Sequence, residues 1–257
     1  VETTTATKPV RINRFLPYWA VFVTDVRQTM GSWVYRTWIL ISILTVVGFL
    51  LYRVGLYREA GIVQRASLLV GDLLRWSFIG SLTLIIVLAA GCISAERGTL
   101  ADSVLSRGIS RYHYFLGKWH ARLATVVGTF LLMGAATLIA SICFFHEDLA
   151  WSGSWIALVA FAGILAMIIS GAVAVSALVN NSLVGITVVW ITVYGCGLVL
   201  SLMPQWHASP YHLLGSLPEI LRGEFNPEVL MQLTCYSLAA SLFLAAAGIF
   251  GFSRKDV

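Results

Sequence analysis

Ionisable side chains are scarce in this 257-residue sequence, and none lies near the middle of a long apolar run. Proton relays and ion paths need such groups at membrane depth, so that chemistry is disfavoured. The remaining candidates sit at the edges of apolar runs. His146, Glu147 and Asp148 form one cluster and His207 with His212 a looser pair, but no helix holds either at a metal-binding spacing. Solvated loop residues are the simpler reading of both, and no metal site is assigned. Gly117-Lys118 lacks the flanking residues of a phosphate-binding loop. Cys92, Cys143, Cys196 and Cys235 each fall inside an apolar run without a C-x-x-C pair, and read as packing residues. Asn180-Asn181-Ser182 has the form of a glycosylation sequon but falls in a short loop expected on the cytoplasmic side.

The most informative polar stretch is residues 96–122. Thr99 is placed to cap a helix with Asp102 at its third position, while Leu100, Val104 and Leu105 give that helix an apolar edge. Arg107-Gly108 supplies a basic last residue and a glycine stop. Ser110 can cap a second helix that runs through Tyr114 and Lys118 into an apolar segment. A short charged helix slung between two apolar ones is a lever that a soluble partner can grip.

The elements around this lever follow from composition. Hydrophobic residues make up 58% and charged residues 11%, with a mean hydropathy of +0.85. A soluble domain carries about 25% charged residues, so lipid is the solvent for most of this chain. About 20 apolar residues span a bilayer as a helix. Six such spans are expected, at residues 33–52, 74–94, 119–145, 155–179, 183–203 and 229–252, in a single transmembrane domain covering 1–257. Trp33, Trp38, Trp76, Trp119, Trp151 and Trp155 fall near span ends, as an aromatic belt requires.

The net charge of +5 is concentrated in a few loops, which suits orientation signals better than nucleic-acid binding. Twelve Lys and Arg flank one side, from Lys8 to Lys255; five, namely Arg53, Arg58, Arg65, Arg75 and Arg222, flank the other. The richer side reads as cytoplasmic, so both termini are expected there. The first residues, Val1 to Pro9, form no apolar segment of signal-peptide type, and the first span is expected to direct insertion.

Residues 14–31 repeat apolar positions at helical spacing (Phe15, Leu16, Trp19, Phe22, Val23, Val26, Met30), with Asp25, Arg27 and Gln28 between them. Such a helix prefers the membrane interface; the alternative is a helix packed on the protein itself. Small residues at Ala162, Ala166, Ser170 and Ala174, widened by Gly163 and Gly171, give the fourth span a smooth face for internal packing. Residues 204–228 hold Pro204, Pro210, Pro218 and Pro227 around Leu213, Leu214, Leu217, Ile220 and Leu221. Short, apolar and proline-broken, they suggest helices that dip into the outer leaflet and return, against the alternative of a loop lying flat.

The run Glu96-Arg97-Gly98-Thr99-Leu100, then Leu105-Ser106-Arg107-Gly108-Ile109-Ser110-Arg111 and Gly117-Lys118, resembles the signature of ABC-2-type transporter permeases. The resemblance covers nearly the whole chain, down to Phe252-Ser253-Arg254-Lys255-Asp256 at its end. Gly108 stands where a proline is common, and Asp102 lies near a usual Glu. The family implies an all-α membrane protein with six transmembrane helices, an N-terminal interfacial helix, a cytoplasmic coupling helix at 96–116 and re-entrant helices between spans five and six. It also implies a prokaryotic inner-membrane exporter with two permeases, copies or homologues, on two cytoplasmic ATPase subunits.

With no Walker motif here, hydrolysis is expected in the partner, which would bind the ATP and Mg; the chain itself is expected to carry no cofactor and no catalytic residue. Glu96, Arg97, Gly98, Thr99, Leu100, Asp102, Val104, Arg107 and Arg111 would form the ATPase-coupling site. Within it Leu100 and Val104 would pack into the ATPase cleft, and Glu96 or Arg97 would pair with its charges. Pro204, Leu213, Leu217 and Pro218 would form an external gate. Apolar spans favour a lipidic or amphipathic cargo, with membrane lipid itself as a partner. An alternative function is force transmission to an extracytoplasmic protein without cargo, using outer residues 53–75 and 205–227. A membrane-embedded enzyme would need convergent polar groups that the spans do not offer.

Overall fold

A computed structural model describes residues 15–60, 65–96, 109–145, 148–202 and 209–254, with backbone only for 56–60 and 144–145. Every regular element among the described residues is helical. In chain order these are α1 (Leu16–Gly31), α2 (Trp33–Ala60), α3 (Ala66–Ala90), a 3-10 turn (Ser94–Glu96), and α4 (Arg111–Arg122). A π turn (Leu123–Val127) joins α4 to α5 (Gly128–Phe145); then follow α6 (Trp151–Leu178), α7 (Ser182–Ser201), α8 (Pro210–Arg222) and α9 (Pro227–Arg254). Six helical stretches are long and apolar enough to cross a membrane, so the chain is a multi-pass membrane protein. They correspond to the six expected spans, most of them extended by a few residues at one or both ends.

The bundle is built around α6. Ala157, Leu158, Phe161, Leu165, Ile169, Ala172 and Val173 are fully buried, with α9, α3, α8, α7 and α5 packed around them. Its smooth face receives α9, as its small residues predict. A side chain at Gly163 would touch Thr234 and Ser237, and one at Gly171 would touch Leu244. At Gly248 of α9 a Cβ would sit 2.9 Å from Ala174 and 2.8 Å from the Phe115 ring, so three helices meet where only glycine fits. Polar bonds then lock the register. Ser170 Oγ lies 2.7 Å from Ser241 Oγ and accepts from Trp119 Nε1 at 2.8 Å. Such bonds between spans contribute on the order of 1 kcal/mol each.

Two expectations change here. Trp33, Trp76 and Trp151 are exposed as belt residues should be, but Trp38 and Trp119 are buried inside the bundle. Both lie on helix faces turned to neighbouring spans, which proximity to a span end does not reveal. Of the cysteines, Cys92 alone is a buried packing residue; Cys143, Cys196 and Cys235 are exposed, and all four are free.

At the end of the bundle remote from α4, α8 lies across α3 and α6. Ser209 caps it by accepting from His212 N at 3.1 Å, Pro210 occupies the first turn, and Gly223 ends it at φ 86°. Leu213, Leu217, Ile220 and Leu221 form its buried face. Pro218 does not break this helix, contrary to the sequence expectation: it sits inside α8, its ring 3.3 Å from where a Gly71 Cβ would lie. A single proline removes one ladder bond, and the buried leucines hold the helix through it.

Candidate functional site

A cluster of buried charges forms at the end of the bundle where α3 stops and α4 starts, and of the sequence-predicted coupling residues Glu96 and Arg111 lie in it. Helix α3 ends at Ala90, and the chain tightens into a turn and then the 3-10 turn. That tightening frees the amides of Ile93 and Ser94, and Ser176 of α6 takes both, accepting at 3.0 and 3.1 Å. Glu96 is thereby held at a fixed point at the bundle's edge. Across from it, Ser110 caps α4 as its position predicts, its hydroxyl accepting from His113 N at 3.3 Å.

Lys118 on α4 joins the two sides. Its Nζ donates to Glu96 Oε1 at 2.6 Å and to Asp25 Oδ1 of α1 at 2.8 Å. One turn on, Arg122 donates from its Nη2 to Asp25 Oδ1 at 3.1 Å, and its Nε lies 3.0 Å from Asp25 Oδ2. That last contact is an ion pair whose angle falls short of a well-aligned hydrogen bond. Tyr114 completes the group by donating to Glu96 Oε2 at 2.8 Å. Two cations thus face two carboxylates, with Asp25 1% exposed and the Lys118 side chain 4%. Isolated, either charge would be prohibitive at such burial; paired and hydrogen-bonded, they fix one geometry.

The approach of α1 to α4 depends on Gly117. A Cβ there would lie 2.8 Å from Val21 Cγ1 and 3.3 Å from the Tyr18 carbonyl oxygen. Glycine and lysine in Gly117-Lys118 therefore have separate tasks, close approach and charge. The π turn begins directly after Arg122, with Thr125 Oγ1 donating to the Ala121 carbonyl at 2.7 Å. The end of α9 also anchors here. Phe252 is buried against Tyr114 and Phe115, with ring centroids 6.2 and 6.4 Å away, and Arg111 Nη1 donates to the Ser253 carbonyl at 3.2 Å.

Helix α1 is turned differently from its sequence pattern. Its buried edge is Val21, Asp25 and Thr29, which face α4, while Phe15, Leu16, Trp19 and Met30 are exposed. Asp25, grouped by sequence with the polar residues between apolar positions, is its most tightly held side chain. Of the apolar stripe, Phe22, Val23 and Val26 are half-buried, while Phe15, Leu16, Trp19 and Met30 stay exposed.

Of the predicted coupling residues, Glu96 and Arg111 are within this site. Both Glu96 oxygens are engaged inside the chain, by Lys118 and Tyr114; of the two residues expected to pair with a partner's charges, the other, Arg97, lies outside the described residues. Arg97, Gly98, Thr99, Leu100, Asp102, Val104 and Arg107 lie outside the described residues, as do Pro204, His146, Glu147 and His207. The gate candidates Leu213, Leu217 and Pro218 share α8, far along the bundle from Glu96. Asp148 bonds Ser67, whose amide and hydroxyl donate at 3.1 and 2.5 Å, and Arg222 Nε donates to the same hydroxyl at 3.1 Å. Asn181, in the formal sequon, caps α7 by accepting from Leu183 N at 2.9 Å. Sequence reasoning missed Asp25 and Arg122; the signal available was an Asp in a helix otherwise rich in aromatic and β-branched residues.

Comparison of the chain with protein-family models, with curated proteins and with solved structures finds no match in any of the three.

Proposed function

We propose that this chain is the membrane-spanning subunit of an ATP-driven exporter of the ABC-2 permease type. It sits in a prokaryotic inner membrane with both termini in the cytoplasm, pairs with a second permease, and is driven by two nucleotide-binding subunits that hold the ATP and Mg. The observation that carries this reading is the Lys118–Glu96 pair at 2.6 Å, backed by Asp25 and Arg122. It ties Glu96, just after α3, to Lys118 two turns into α4, and Asp25 adds α1, so a force reaching either flank of segment 97–108 would pass to α3, α4 and α1 together. A lever needs such a stiff fulcrum, and Glu96 and Gly117-Lys118 of the permease-like signature supply it.

Two further features support the reading. The exposed Phe15, Leu16 and Trp19 suit a helix lying in the membrane interface, its opposite edge held by ion pairs. On the outer surface of α3 and α7, Thr83 Oγ1 lies 2.9 Å from the hydroxyl of half-buried Tyr194 and accepts from Trp190 Nε1 at 3.4 Å, with Thr83 and Trp190 exposed. Tyr194 is roughly 18 Å along α7 from its first residue, which is mid-bilayer depth. Exposed polar groups at that depth favour a passage for an amphipathic cargo over a closed force transmitter. Helix α8 would then gate the far end.

The test is Leu100→Arg in the permease–ATPase complex. ATP hydrolysis should become uncoupled from transport, or the complex should fail to assemble; unchanged assembly and coupling would overturn the docking assignment.

A further inference from the structure

Between α2, α3 and α5 lies a cavity of about 50 Å³, in the apolar part of the bundle and apart from the ionic site. Its wall is mostly apolar, with Val46, Leu73, Leu74, Phe130 and Met133, but Trp38, Ser42, Ser77, Ser81 and Thr137 bring polar atoms to it. Trp38 is 2% exposed, and its indole N–H has no protein partner; Ser77 Oγ, also buried, has none either. Ser42 and Thr137 donate to the carbonyls of Trp38 and Met133, both at 2.8 Å, which leaves their oxygens able to accept. A buried donor without an acceptor costs about 1–3 kcal/mol, and in lipid no bulk water can relieve it.

We infer that this cavity binds ordered water, held by the Trp38 indole N–H and the Ser77 hydroxyl. Water needs roughly 10–15 Å³ of such space and two to four polar partners, and the cavity offers both. Its size does not suit a lipid headgroup, and its lining carries no charge to attract an ion. The inference is independent of what the protein exports. It makes the first half of α2 a wet seam, whose hydrogen bonds can be exchanged without leaving a donor bare in lipid.

The test is 15N-indole TROSY spectroscopy of the full chain in nanodiscs, with the Trp38 resonance assigned through Trp38→Phe. The expected result is a through-space cross-peak between the Trp38 indole proton and water. Ser77→Ala should reduce that cross-peak at least twofold and lower Tm. A Trp38 proton without water contact, or one contacting lipid protons instead, would overturn the inference. So would Ser77→Ala melting at or above the parent protein, since deleting an unpartnered dry hydroxyl should not destabilise.

Discussion

Lys118 Nζ of α4 and Glu96 Oε1 of the 3-10 turn after α3 lie 2.6 Å apart, and the same ammonium reaches Asp25 at 2.8 Å. One lysine therefore ties the end of α3 and the middle of α1 to α4. Asp25→Asn should destabilise the protein by about 3–5 kcal/mol, because it leaves two buried cations short of a counter-charge. Thermal unfolding in detergent measures this. Lys118→Met should cost a similar amount, and the double variant less than their sum, since the pair is coupled.

Gly117→Ala should cost about 1–3 kcal/mol by forcing α1 away from α4. The Cβ would meet Val21 Cγ1 at 2.8 Å, so Val21→Ala in the same chain should recover much of the loss. Equal loss in single and double variants would show that α1 is not seated on Gly117.

At the other end of the bundle, a Cβ on Gly153 would collide with the Ile220 carbonyl oxygen, a backbone atom that cannot rotate aside. The Ala150 amide also donates to the Leu221 carbonyl at 2.7 Å, which pins α8 to the start of α6. Gly153→Ala should release α8, with a stability loss of about 3 kcal/mol or more. Faster proteolytic cleavage within α8, compared with the parent protein, is the readout.

Ser170→Ala should strand the Trp119 indole N–H and remove the bond to Ser241, costing about 1–2 kcal/mol. Trp119→Phe in the same background should add less than it does alone. Full additivity in this double-mutant cycle would place the two residues out of contact.

What the sequence makes legible is what depends on local spacing. The six spans, the Ser110 cap and the smooth face of α6 all follow from runs or periods within about 25 residues. The ionic site does not, because Asp25 is 93 and 97 residues from its partners Lys118 and Arg122. Period alone also leaves a helix free to rotate: the aromatic stripe of α1 is readable, but which edge meets the protein is set by Asp25 finding two cations. Pro218 stays inside α8 for a related reason. A proline's cost to a helix is fixed locally, while the burial of Leu217, Ile220 and Leu221 that offsets it is tertiary.

Native mass spectrometry of the complex, extracted in mild detergent, tests the exporter assignment most directly. The predicted mass is that of two permease chains carrying two nucleotide-binding subunits. A chain that emerges alone, or only with copies of itself, under conditions gentle enough to preserve complexes would contradict it.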